Sequence, residues 1–229
     1  MSRNDRRRKP IGTASTGRQD YRGPPGHREL YVTSPRRRNR SYRPAARTAL
    51  AAAALAATAV LSSGVASARP IGAFDVGGAI EAEYDRAGGF AVFGNPTTPE
   101  SDAARGGKFQ VFERNNSIYW SVGTDAHQVG GAIRDKWAAL GWENSPLGFP
   151  ISDEQKAGRD GAGRYNLFDG GSIYWSPKTG AHAVWGAIRD TWTSNVAEKG
   201  RYGYPTSDEY DYQGGKAQDF QGGKIVWKP

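Results

Sequence analysis

Residues 147–150 read Leu147-Gly148-Phe149-Pro150, and the same figure returns at Phe93-Gly94-Asn95-Pro96 and at Tyr202-Gly203-Tyr204-Pro205. Two further landmarks keep the same order. Gly-Ala-Ile stands at Gly78-Ala79-Ile80, Gly131-Ala132-Ile133 and Gly186-Ala187-Ile188. Ser117-Ile118-Tyr119-Trp120 and Ser172-Ile173-Tyr174-Trp175 match outright, with Lys224-Ile225-Val226-Trp227 as a worn third copy. Three landmarks in one order, three times, define an internal repeat of about 54 residues.

Each landmark has a physical reading. After Gly-Ala, Ile133, Trp137 and Leu140 fall at i, i+4 and i+7, one face of a helix. Ile80, Tyr84 and Ala87 copy that face, as do Ile188, Trp192 and Val196 more loosely. The spacing predicts short helices closed by Gly88 and Gly141. In x-Gly-x-Pro, a permissive Gly (Gly94, Gly148, Gly203) stands close to a Pro that fixes φ (Pro96, Pro150, Pro205), which predicts a turn burying one apolar residue. Two strands follow: Phe109, Val111 and Phe112, copied as Tyr165, Leu167 and Phe168, then the Ile-Tyr-Trp strand. Ala126-His127-Gln128-Val129 and Ala181-His182-Ala183-Val184 lead into the next helix. The expected fold is α+β: three units (77–129, 130–184 and 185–229), each a short helix, a turn and a β-hairpin, packed around a shared core. One such unit has too little apolar surface to stand alone. The third copy has no His-containing return segment before Pro229, which suggests a capping role. Residues 69–76 are the candidate for the missing part at the other end.

Charge separates the front of the chain from the rest. Of the 31 Lys and Arg, 14 lie before residue 69 beside only three acids, leaving 17 basic and 20 acidic residues in 69–229. The net charge of +8 is thus a property of the front segment, and a nucleic-acid partner loses its support. Residues 36–68 read as a secretory signal: a basic stretch to Arg47, an apolar run over Thr48–Leu61, and Ala66-Ser67-Ala68 as the cleavage site. Fourteen residues span about 21 Å as a helix, short of a bilayer core near 30 Å, so no stable transmembrane span is expected. Residues 1–35 read as a disordered basic extension or the product of a misplaced start. The chain has no cysteine; a disulfide or thiolate site is ruled out.

The Leu-Gly-Phe-Pro figure, with Glu154, Phe168 and the run SIYWSPKTGAHAVWGAI, resembles the LGFP repeat, and the resemblance covers residues 77–229. It implies a secreted, cell-wall-associated protein of a mycolic-acid-containing actinobacterium. In this family such repeats accompany mycolyltransferase, esterase or amidase domains and are thought to hold them to arabinogalactan or peptidoglycan glycan. The second copy matches most fully; Asn95 and Val226 are departures in the first and third.

Aromatic rings stack on sugars, so Tyr119, Trp120, Tyr174, Trp175 and Trp227 are candidate glycan platforms. On a strand, Tyr and Trp face opposite ways, so one of each pair can be core; the alternative is that both are. Glu100, Glu154 and Glu209 recur four residues after each Pro, either accepting a hydroxyl or supporting their own turn. His127 and His182 have no metal-ligand spacing and fit a hydrogen-bonded strand end, with His182 as a further candidate contact. No nucleophile elbow, phosphate loop or EF-hand is present, and no cofactor is expected. The reading is a non-catalytic, exported glycan-binding module. Its alternatives are a small wall hydrolase using Glu154 and His182, or a scaffold docking separate envelope enzymes.

Overall fold

The computed structural model describes residues 28–33 and 68–229. Three helices, Gly78–Arg86, Gly131–Leu140 and Gly186–Ser194, begin at the three Gly-Ala-Ile landmarks. The i, i+4 residues are buried, with Ile80 and Tyr84, Ile133 and Trp137, and Ile188 and Trp192 all at most 3% exposed, and Glu83 of the first helix is buried beside them. Gly141 closes the middle helix in the left-handed region at φ 102°. Val196 departs from the expected face: it lies beyond its helix at φ 69° and is 65% exposed.

Each unit carries a sheet rather than a two-stranded hairpin. The first sheet runs Ser101–Asp102, Lys108–Phe112, Asn116–Ser121 and Asp125–Gly130, antiparallel throughout. The second repeats it with Gln155–Ala157, Gly163–Phe168, Gly171–Ser176 and Gly180–Trp185. The third has Tyr210–Tyr212, Gly215–Phe220 and Gly223–Lys228. Its fourth position is taken by Arg28–Thr33, parallel to Gly223–Lys228. Within 1–35, read above as a disordered basic extension or the product of a misplaced start, Arg28–Thr33 forms this strand, where the outer backbone groups of Gly223–Lys228 offer a ladder that an extended segment satisfies. The remainder of 1–35, and the signal segment 36–68 apart from Ala68, lie outside the described residues.

The helices and sheets alternate as layers. The middle helix sits between the first and second sheets, and the last helix between the second and third. The first helix packs on the first sheet, and the small hairpin Arg69–Ile71/Phe74–Val76 contributes Ile71 and Val76 to the same core. The expected single shared core is thus three cores, each centred on one helix. Two of them draw on neighbouring units: Tyr119 and Val129 join Trp137 and Phe168, while Tyr174 and Val184 join Trp192 and Phe220. The period of two along a strand produces this arrangement. Ile118 faces its own helix and Tyr119 faces the next one.

The x-Gly-x-Pro figure closes each unit onto its sheet. Gly94, Gly148 and Gly203 all adopt φ between 66° and 73°, the left-handed region that favours glycine. Pro96, Pro150 and Pro205 each bridge to the phenylalanine ending the second strand, Phe112, Phe168 and Phe220.

Candidate functional site

Register separates the two aromatic residues of each Tyr-Trp pair. Tyr119 and Tyr174 are 4% and 7% exposed, inside the cores. Each stacks on a cross-strand ring, Phe109 at 5.1 Å and Tyr165 at 4.8 Å, and meets the next helix's tryptophan edge-on. The two tyrosines are therefore joint residues, not exposed platforms. The tryptophans lie on the other face and stay partly open.

Each Trp stands directly across from a cation: Lys108 opposite Trp120, Arg164 opposite Trp175, and Lys216 opposite Trp227. In the second unit Trp175 and Arg164 line a surface groove of about 240 Å³ with Gly131, Ala132, Ile133 and Glu154. In the first, Trp120 and Lys108 line one of about 400 Å³ with Gly78, Ala79, Ile80 and Glu100. Every residue lining the second groove has its counterpart in the first, which Ala68 and Gly77 extend. In the third unit Lys216 and Trp227 line a cavity of about 360 Å³ with Tyr212 and Gly215. The recurring glutamate thus belongs to the groove in the first two units, whereas the third cavity is lined by Asp211 and by neither Glu209 nor the Gly186-Ala187 helix start. Burial raises the Glu154 carboxyl despite Arg164, whose Nε lies 3.5 Å away, and it also raises Glu209 despite a bond from Trp185.

His182 belongs elsewhere. It pairs across the ladder with Tyr174, so it lies on the opposite face from Trp175 and Glu154. Its Nδ1 is 3.3 Å from Asp208 of the next unit, as His127 Nδ1 is 2.9 Å from Asp153. Burial alone would raise both aspartates; the His127 and Arg86 bonds at Asp153, and those of His182 and Lys136 at Asp208, outweigh it and hold each near 2. Glu83, against the same joint as Asp153, is pushed up to about 7 by burial, against the lowering effect of Arg86.

Three further joint contacts escaped the sequence reading. Gln110, Asn166 and Gln218, all fully buried, each donate two hydrogen bonds, one within the unit and one to the segment before it. Asn166 bonds Ser152 O and Gln128 O at 3.0 Å each, Gln110 bonds Thr98 O and Asp75 O, and Gln218 bonds Ser207 O and Ala183 O. Glu143 and Glu198 accept backbone N–H bonds from Ala104 and Gly158 of the preceding unit. The aromatic residue of the x-Gly-x-Pro figure is a plug. A Cβ built on Gly107 would come within 2.6 Å of Phe149, and one on Gly163 would strike the Tyr204 hydroxyl. At the corresponding places the first unit has Gly89, Asn95 and Pro99. Next to it, among the described residues, stands the two-stranded hairpin, whose Gly72 lies against Asn95.

A chain of alternating helices and sheets, whose joints repeat residue for residue, is a tandem-repeat protein of stacked α+β units. The LGFP repeat model matches residues 93–145, 147–200 and 203–229, and the chain belongs to the LGFP repeat family. Those segments start at x-Gly-x-Pro, so the first helix lies ahead of the first of them. Comparison with curated proteins finds no match.

Proposed function

We propose that this chain is an exported, non-catalytic repeat module that holds onto cell-wall glycan, with Trp120, Trp175 and Trp227 as its contact platforms. The observation that carries this reading is the recurrence of one groove in the first two units, in which a partly open indole, a cross-strand cation and a glutamate lie beside a Gly-Ala helix start, with the indole and cation kept in the third. Indole gives a sugar ring an apolar face to stack on, and the carboxylate and cation supply an acceptor and a donor for its hydroxyls. Gly and Ala leave the groove wall free of large side chains. Membership of the LGFP family supports the wall as the place of action. The hydrolase alternative is disfavoured because Glu154 and His182 face opposite sides of one sheet.

Retention of the purified chain on insoluble cell wall is the test. The parent should co-sediment, and Trp120→Ala/Trp175→Ala should lose most of the retention while still melting cooperatively, at a lower midpoint because both indoles also pack on their cores. A parent that sediments no better than an unrelated globular protein refutes the proposal.

A further inference from the structure

The grooves also carry information on the charge of what they hold, and the point rests on the glycan reading above. In each unit the groove cation is already engaged. Lys108 is bound to Asp102, and Lys216 Nζ lies 2.6 Å from Asp211. Arg164 directs Nη1 at Gly161 O and Gly163 O, at 2.8 and 2.7 Å, and Nε towards Glu154. Lys156 stands across the ladder from Arg164 but is exposed and outside the groove lining. On the acidic side Glu154 shares the 3.5 Å contact with Arg164, but a carboxylate keeps further acceptor lone pairs. Glu100 and Glu154 line their grooves, and Glu209 occupies the same place in the repeat. An anionic ligand would meet Glu100 or Glu154 in the first two grooves and Asp211 in the third, and find each cation taken. A hydroxyl-rich, uncharged ring would donate to that carboxylate and lay its apolar face on the indole.

We infer that the Trp120, Trp175 and Trp227 grooves select neutral polysaccharide and reject polymers bearing carboxylate or phosphate groups. The recurrence also fits a polymer better than a single sugar. Two or three weak subsites joined by one chain bind far more tightly than any one of them.

Affinity electrophoresis of the full chain tests this, in native gels cast with an arabinan, a galactan or a β-glucan, and in parallel with polygalacturonate. The expected result is retardation by at least one neutral polymer, little changed between 50 and about 300 mM salt, because the contacts are not ion pairs. Polygalacturonate should give none. Trp175→Ala should weaken retardation about 5-fold or more. Glu154→Gln should weaken it by a smaller factor, with the gels run well below the melting midpoint of both variants, which Trp175→Ala lowers because the indole also packs on the core. Retardation by polygalacturonate that fades with salt overturns the inference, as does retention on cell wall without retardation by any neutral polymer; the wall-binding proposal survives both. Failure on the wall and on every polymer overturns the wall-binding proposal itself.

Discussion

Replacing Asn166 by Ala removes the two donors that tie the first sheet to the second unit. The Gln128 and Ser152 carbonyls lose bonds of 3.0 Å in a place where Asn166 is fully buried. A buried acceptor stranded in this way costs about 1–3 kcal/mol, so the pair should cost about 2–6 kcal/mol. That is a large part of a typical domain stability of about 5–15 kcal/mol. Asn166→Asp separates bonding from packing, since it keeps the volume but turns an ionised acceptor towards two carbonyls. At pH 7 it should cost at least as much as Ala. Its folded-state pKa should rise above the unfolded value, so the loss should shrink as pH falls through that raised pKa and the acid regains a proton to donate. Urea unfolding of the full chain, followed by tryptophan fluorescence, measures both variants. Because each joint supplies a nearest-neighbour term in a repeat stack, the transition should also broaden. A loss under about 0.5 kcal/mol for Asn166→Ala, within the range of ordinary surface changes, would refute the claim that this amide holds the joint.

Gly148→Ala should cost about 1–2 kcal/mol, because φ there is 69° and the left-handed region penalises a Cβ, whereas Gly123→Ala, with open space around it, should cost almost nothing by calorimetry. Glu83→Gln should stabilise the chain at neutral pH. The folded pKa of about 7 lies above the ordinary 4.5, so ionisation costs stability progressively from pH 4.5 to 7, and the gain, on the order of 1–2 kcal/mol, should be absent at pH 4 and level above pH 8 in melting curves. Asp153→Asn should show the opposite trend. With the folded pKa held near 2, the carboxylate contributes stability above about pH 4 that is lost as pH falls through 2, so the variant's deficit, on the order of 1 kcal/mol at pH 7 after solvent screening, should shrink steadily below pH 4 and vanish only below pH 2.

Periodicity made the helices legible: Ile133 and Trp137 announce a buried face on their own, without knowledge of what covers it. It also identified the repeat and the turn glycines, whose left-handed φ follows from the residue type. The joints were less legible because their logic is long-range. Gln110, Asn166 and Gln218 vary in identity and sit among apolar strand residues, and nothing local shows that each amide reaches the segment before its own unit. Phe149 and Tyr204 were seen as buried turn residues, but their sockets are glycines about 40 residues upstream. For Tyr174 and Trp175 the alternation along a strand gave two faces; which face meets the next helix depends on packing between units. Arg28–Thr33 had no readable role, because its partner strand is almost 200 residues away.

The plug, the glutamate and the aspartate on the forward side of a unit give the stack a direction, with consequences for how such an array can change length. The middle unit has both halves of the joint: Glu143, Phe149 and Asp153 in front, Gly158, Gly163 and His182 behind. A duplicate of it inserted next to itself would find every socket filled and every carboxylate matched. The first unit placed inside the array would set Asn95 against a glycine socket and Pro99 against a histidine. Growth by tandem copying is therefore open at the centre of this protein and closed to its first unit, and longer relatives built on the same joints should be multiplied from their interior.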